Sequence, residues 1–324
     1  MARHGPSRWF VVCAFSVLPT AALAQEWPTK QPIKAVVPFS AGSATDVIAR
    51  SVFDQVSKQI GQTIVIENRV GAGGTIGANA VAKAEPDGYT LLVNSSSHTV
   101  TPSTYSKLPY DAVKDFAAIV PLANLPSVLV ASPARQYKSV QGLVDAAKKN
   151  PGTLNYASAG AGSAAHLTAE RFKLSAGIQA QHVAFKGAPE ALTEIIADRI
   201  DFYFCPILPA LSLIREGKLS ALAVSGLRRA SALPDVPTTV EAGFPNSEYE
   251  FWIGAFAPRQ TPKTIVDRLY AEMSKALADP AVAEKLTKFG ADQMKLPPPE
   301  FEALIVREIA SNAVLVKAAG VKAN

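Results

Sequence analysis

The stretch SAGAGSAAH, Ser158 to His166, places two glycines, two serines and one histidine between the apolar run LNYA and the helical pattern HLTAERF. A strand, a small-residue turn and a helix in that order leave unpaired backbone amides at the helix start. Those amides and the helix dipole favour a negative charge. Ser163 is the expected N-cap, so the amides from Ala161 through Gly162 to Ala164 point out of the helix. A second turn of the same kind, PFSAGSATD at 38–46, begins with Phe39 and Ser40. In it Ser43 and Asp46 have the spacing of a capping box, with amides exposed from Gly42 to Thr45. Neither turn holds Lys or Arg, so backbone and hydroxyl donors would carry the binding. If both face one crevice, two helix starts converge, each worth about half a unit of positive charge. That pair suits a small carboxylate, above all one with two carboxyl groups.

Other chemistries fit these residues less well. Gly160 to Ala165 satisfies the G-x-G-x-x-[GA] spacing of dinucleotide binding. However, the next strand, QHVAF, runs into Lys186-Gly187 with no acid for a ribose. The glycine-dense ENRVGAGGTIGANAV at 67–81 misses the spacing, because Gly71 and Gly73 are followed by Ile76 where glycine is needed. Tight chain passage and close helix packing at Gly77 explain it better. No G-x-S-x-G nucleophile turn occurs. Ser163 and His166 share one helical turn, yet a capping serine aims its oxygen at the backbone; the pair remains a minor hydrolase alternative. His166 is then a packing residue or part of the wall. Ser95, Ser96 and Ser97 end the strand YTLLV, and Ser96 is expected to donate from a third wall.

The elements that must position these turns alternate between strand and helix. Apolar runs at 33–39, 63–67, 89–93, 128–132 and 154–157 read as strands, as do 181–185, 201–204, 219–224 and 254–258. Helical spacing covers 45–60, 140–149, 164–174, 188–197 and 208–216. This alternation predicts an α/β protein with mostly parallel sheets. Two such series, 33–122 and 128–224, predict two domains: 25–124 plus 225–324, and 125–224. Hinges fall near 123–126 and 223–227, with the ligand in the cleft between. The helices of the last third are expected on the first domain.

The N-terminus MARHGPSRWFVVCAFSVLPTAALAQ has two arginines, a short apolar run and an A-L-A site before Gln25, the pattern of a cleaved signal peptide at 1–24. The run is too short for an ordinary span, and Pro19 interrupts it. Losing Arg3 and Arg8 lowers the formal charge of +5 by two. The mild, scattered balance excludes a nucleic-acid footprint. Outside the leader only Cys205 remains, so no internal disulfide can form. His98, His166 and His182 are too far apart in sequence to suggest zinc.

The blocks PIKAVVPFSAGSATDVIAR, NRVGAGGTIGANAVAKAEPDGYTLL, NPGTLNYASAGAGSAAHLTAERFK and GKLSALAVSGLRRASALPDVPTTVEAGFP carry a resemblance. NRVGAGG followed by PDGYTLL is its most specific part. The chain resembles the periplasmic receptors of tripartite tricarboxylate transporters, the Bug receptor family. The resemblance implies a two-domain, periplasmic-binding-protein-like fold of type II-like organisation. It also implies a small organic carboxylate as ligand, a membrane permease as partner, and periplasmic localisation. No cofactor, metal or nucleic acid is implied, and a monomer is expected. A sensor for a signalling partner is the alternative role. The family's two carboxylate-holding loops match 39–46, with Phe39, Ser43 and Asp46, and 158–166, with Ser158, Ala161, Ser163 and His166. Two departures stand out. Ser43 replaces a glycine common in the family, and Cys205-Pro206 stands where many members carry Asp, which places Cys205 among the expected binding residues. Without that acid the resemblance favours a ligand lacking a cation. Phe39, Phe202, Tyr203, Phe204 and Trp252 leave room for an aromatic acid.

Overall fold

The apolar segment IKAVV forms β1 (Ile33–Val37), and its neighbours follow from the same β-branched, nearly continuous apolar pattern. The computed structural model describes residues 27–321, together with Met1, Ala2 and Gly5. Apart from those three residues, the expected leader and its cleavage point before Gln25 lie outside the described residues.

After β1 come α1 (Ala44–Ile60), β2 (Ile64–Asn68), α2 (Thr75–Ala82), β3 (Thr90–Ser95), α3 (Ser97–Thr104), β4 (Phe116–Leu125) and β5 (Ser127–Ala131). The chain continues through α4 (Val140–Lys149), β6 (Asn155–Ser158), α5 (Ala164–Ala176), β7 (Gln181–Ala184), α6 (Ala188–Ile196), β8 (Phe202–Pro206), α7 (Ile207–Arg215) and β9 (Ser220–Val224). It ends with β10 (Phe251–Pro258), α8 (Lys263–Ala278), α9 (Pro280–Lys288) and α10 (Pro298–Ala319).

The strands make two five-stranded sheets, ordered β2-β1-β3-β10-β4 and β7-β6-β8-β5-β9. Both are mixed rather than mostly parallel. In the first, β10 runs antiparallel to β3 and β4; in the second, β5 runs antiparallel to β8 and β9. The cause is the way the chain changes sheets. Only Pro126 separates β4 from β5, so β5 starts at the crossing and runs away from it. β10 also starts there, while β1, β3, β6 and β8 end facing it.

Three segments meet at the crossing. The Ser225 amide donates to the Ser127 carbonyl at 2.7 Å, and the Tyr249 amide to the Ser225 carbonyl at 2.7 Å. The return to the first sheet is therefore made at 249–251, later than the boundary expected at 225. Residues 238–248 pack on the second sheet: Thr238 bridges Val224, and Phe244 lies edge-on to Phe172 at 5.4 Å. Apolar Phe244, buried in the second sheet's core beside Phe172, helps hold the segment there.

Buried Ile48, Val52, Phe53 and Val56 put α1 against the first sheet, as their spacing predicts. As expected, α8 and α9 lie on α1, where Gln59 donates to the Glu272 carbonyl at 2.8 Å and Gln55 to Asp279 at 3.3 Å. One buried cluster runs through both sheets by way of Leu125, Val128 and Tyr203. Ser97–Thr104 folds as a helix although Ser, Thr and Pro102 are poor helix formers. Tertiary bonds hold it: Asn312 donates to Thr99 Oγ1 at 3.0 Å, and His98 Nε2 pairs with the Ala112 carbonyl at 2.8 Å. Among the described residues no helix is long and apolar enough to cross a membrane.

Candidate anion-binding site between the sheets

Ser43 and Ser163 are both helix N-caps with extended backbone, as their sequence contexts predict. Ser43 Oγ accepts from the Asp46 amide and Ser163 Oγ from the His166 amide, each at 3.3 Å. The two helix starts face one small cavity between the sheets. The first-sheet side supplies Phe39, Ser43, Ala44, Thr45, Ser95, Ser97 and Phe251. The second-sheet side supplies Ala159, Ser163, Ala165, Gly187, Ala188, Tyr203 and Pro206.

No charged side chain lines this cavity. Its polar surface is mostly donors. Among the described residues the amides of Ala44 and Thr45 at the start of α1, Ala165 at the start of α5 and Ala188 at the start of α6 have no acceptor. Three helix dipoles thus point their positive ends into one small space. The sequence predicts the helix at 188–197, but not that its start faces this cavity. Its Gly187 offers no capping side chain, and Ala188-Pro189 gave no capping signal to read.

Of the expected site residues, Phe39, Ser43 and Ser163 reach the cavity wall. The others stand behind it or at the seam. Asp46 takes the Gly42 amide at 3.0 Å, Arg50 Nε at 3.0 Å and Asn68 Nδ2 at 2.9 Å, and so shapes the first turn. Burial alone would raise the Asp46 carboxyl; the bonds from Arg50, Gly42 and Asn68 outweigh it and hold the group below its ordinary value. Ser158 Oγ is occupied by the Gly160 amide and carbonyl and by His182 Nε2 at 2.6 Å. His166 Nδ1 accepts from the Gly162 amide at 3.1 Å, and its ring stacks on His182 at 3.8 Å. The two imidazoles brace the second turn from behind and do not line the cavity. Burial, and then Lys173, lowers His166 to about 4; burial, and then His166, lowers His182 to about 3.

Ser96 is a correction: its side chain is fully buried with no partner, away from the cavity, while its neighbours Ser95 and Ser97 line the wall. The helical start of α3 turns them in. Cys205 is a second correction. It is fully buried behind the wall, with its thiol toward the Pro206 carbonyl at 3.2 Å. Alternation along β8 divides the aromatics. Tyr203 faces the cavity, while Phe202 and Phe204 enter the core of the second sheet. Trp252 packs in the opposite core, and Phe251, missed in the sequence, takes the wall.

Ser40, Gly42, Ala161 and Gly162 lie at or near the seam rather than on the wall. Ser40 Oγ donates to Glu190 at 3.1 Å across the sheets, and Tyr105 Oη donates to the Ala161 carbonyl at 2.9 Å. Gly73 explains its motif here: at φ +62°, an added Cβ would stand 2.1 Å from the Ala161 carbonyl oxygen. Gly77 packs as expected, with a Cβ position 2.9 Å from both Pro38 and the Arg69 carbonyl.

This geometry, a small cavity lined by helix starts between two α/β sheets, is matched in known proteins. The family model described as tripartite tricarboxylate transporter family receptor matches residues 48–321. The chain belongs to this receptor family. Its structure is similar to that of the periplasmic binding protein BugD, with TM-score 0.87 and 33% identity, covering 90% of this chain and 99% of that one. It is similar to MatC (Rpa3494) from Rhodopseudomonas palustris with bound malate, with TM-score 0.86 and 34% identity, over 89% and 99% of the two chains. It is also similar to R. palustris Rpa4515 with adipate, with TM-score 0.88 and 32% identity, over 92% and 99%.

In this receptor the side chains of Ser163 and His166 are each engaged with backbone and not with one another. Ser163 Oγ accepts a backbone amide, and His166 Nδ1 is engaged by Gly162. Among the described residues there is no cluster of three or more potential metal ligands.

Proposed function

We propose that this receptor captures a small organic carboxylate between its two sheets and delivers it to the membrane permease of a tripartite tricarboxylate transporter. One observation carries the reading: three helix starts with unpaired amides surround a single small cavity that has no charged side chain. Such a wall stabilises an anion through fixed dipoles and offers nothing to a cation. The malate and adipate bound by its structural relatives support an organic acid of similar size. Binding residues are the amides of Ala44, Thr45, Ala165 and Ala188, with the hydroxyls of Ser43 and Ser163. Asp46, Ser158 and His166 hold the turns that present them.

The receptor acts as a monomer of two lobes, 27–124 with 251–321 and 127–250, in the periplasm after removal of residues 1–24. The lobes close by bending at 125–127 and 249–251. The solute favours the closed form because it bridges donors on both lobes. It is a binding protein and not an enzyme.

A thermal-shift panel of dicarboxylates, tricarboxylates, aromatic acids, amino acids and NAD tests the reading. A ligand at 100 times its dissociation constant stabilises by about 2.7 kcal/mol, a shift of a few degrees. Stabilisation by carboxylates, with NAD silent, is expected. A panel in which only cationic or uncharged compounds act would overturn the proposal.

A further inference from the structure

Tyr203 is a buried donor with only a thiol, that of Cys205, beside it. Its side chain is fully buried on β8, it lines the cavity, and no oxygen or nitrogen accepts from its hydroxyl. The Cys205 thiol, two residues along the same face, is turned to the Pro206 carbonyl. Burial holds the phenol well above its ordinary value, and Cys205 adds to the shift, so the group keeps its proton. A buried hydroxyl met only by a thiol stays poorly satisfied unless a better acceptor arrives to meet it.

The start of α6 bounds the cavity on the same, second-sheet side. Gly187 leaves the Ala188 amide uncapped and facing the same space. Gly187 is itself pinned by the seam, since a Cβ there would stand 2.0 Å from Ser40 Oγ. The pair therefore offers two donors, one from a helix start, well apart in sequence from the turns at 43–45 and 163–165.

We propose that Tyr203 selects the solute: its hydroxyl and the Ala188 amide form a second subsite for the far carboxylate of a small dicarboxylic acid. The starts of α1 and α5 hold the near carboxylate. Phe39, Phe251 and Pro206 give the acid an apolar middle. This inference rests on the reading of the cavity as the solute site and adds which acid it prefers. Phenylalanine at 203 keeps the ring and removes only the donor, so the folded protein is preserved.

The test is calorimetry on wild type and Tyr203→Phe with succinate, glutarate and adipate against butyrate, valerate and hexanoate. Wild type is expected to bind one of the diacids at least about tenfold tighter than its equal-length monoacid, the scale of a hydrogen bond to a charged group. Tyr203→Phe should lose about tenfold for that diacid while its monoacid affinity is unchanged. The ligand-free variant should melt within a few degrees of wild type, because the hydroxyl removed was met only by a thiol. A lower melting temperature with equal losses for both acid classes would make the hydroxyl structural and overturn the proposal. A diacid preference that survives in Tyr203→Phe would also overturn it, as would a wild-type preference for monoacids, which leaves the receptor reading intact. Binding of none of the six acids would remove the subsite and count against the carboxylate reading as well.

Discussion

Ser97 Oγ accepts the amide hydrogen of Ala164 at 2.8 Å, so a hydroxyl from the first-sheet side ends the start of α5 on the second-sheet side. Ser95 Oγ donates to the same Ser97 oxygen at 2.9 Å and fixes its direction. The contact exists only while the two sides are together. It adds a direct tie to those at Tyr105–Ala161 and Ser40–Glu190.

Ser97→Ala should therefore weaken solute binding through loss of the closed form. An unpaired buried amide costs about 1–3 kcal/mol, which is about 5- to 150-fold in affinity. Titration calorimetry reads the loss. Unchanged affinity would mean that the bond does not hold the sides together.

Gly73→Ala should block closure by a steric route. Gly73 and Gly61 have nearly the same left-handed backbone, φ +62° and +64°, but Gly61 has nothing within 4 Å of an added Cβ. Both substitutions carry the strain of about 1–2 kcal/mol for a left-handed L-residue. Only Gly73→Ala meets the Ala161 carbonyl. Small-angle scattering should show ligand-induced contraction in Gly61→Ala and none in Gly73→Ala. Equal contraction in both would refute the seam assignment.

Glu308 sits between Trp252 and Thr99, accepting Trp252 Nε1 at 3.0 Å and Thr99 Oγ1 at 3.0 Å. Burial is the main cause that raises it from 4.5 to about 7. The folded chain then keeps a proton that the unfolded chain releases. This contribution is complete below about pH 4.5 and is lost as pH rises through 7. Glu308→Gln retains an acceptor without the charge. It should exceed wild type in stability at pH 8 by about 2–3 kcal/mol and approach it at pH 5, measured by urea unfolding. A constant difference at the two pH values would exclude the titration.

His98, His166 and His182 have the opposite sign. Burial lowers His98 to about 4, against the pull of the Ala112 carbonyl, and the stacked pair is lowered as well. The unfolded chain takes up these protons below about pH 6.5 and the folded chain does not. Stability is full above that pH and lost as the folded values are approached. Each histidine contributes a slope of about 1.4 kcal/mol per pH unit, and Glu308 offsets one of the three. The stability read from urea unfolding should therefore fall by about 2 kcal/mol per unit from pH 6.5 to 5, since at pH 6.5 the unfolded histidines are only half protonated. A flat profile would place the histidines in contact with water.

Much of this protein was legible before its structure. The 3.6-residue spacing of Ile48, Val52 and Val56 gave α1, and Val140–Lys149 agrees with its expected bounds. Ser43 and Ser163 were readable as caps because capping is local: an oxygen meets an amide three residues on. The wall was less legible. Ser96 and Cys205 were plausible by type, yet the turn of α3 presents Ser95 and Ser97, and Cys205, on the same face as Tyr203, turns its thiol to the Pro206 carbonyl. The α3 helix escaped notice because its residues have low propensity and only contacts distant in sequence stabilise it.

By itself the sequence determined the α/β class, the two serine-capped helix starts and the family, because each depends on spacing within a few residues or on a distinctive string such as NRVGAGG. Tertiary structure alone decided that β5 and β10 run against their neighbours and that the return crossing lies at 249–251. It also decided that the third helix start belongs to α6 and that Gly73 is a seam residue. The physical reason is that these features depend on groups far apart in the chain meeting across the two sheets. No local pattern encodes which amide is left unpaired, or which glycine faces a carbonyl from the other side.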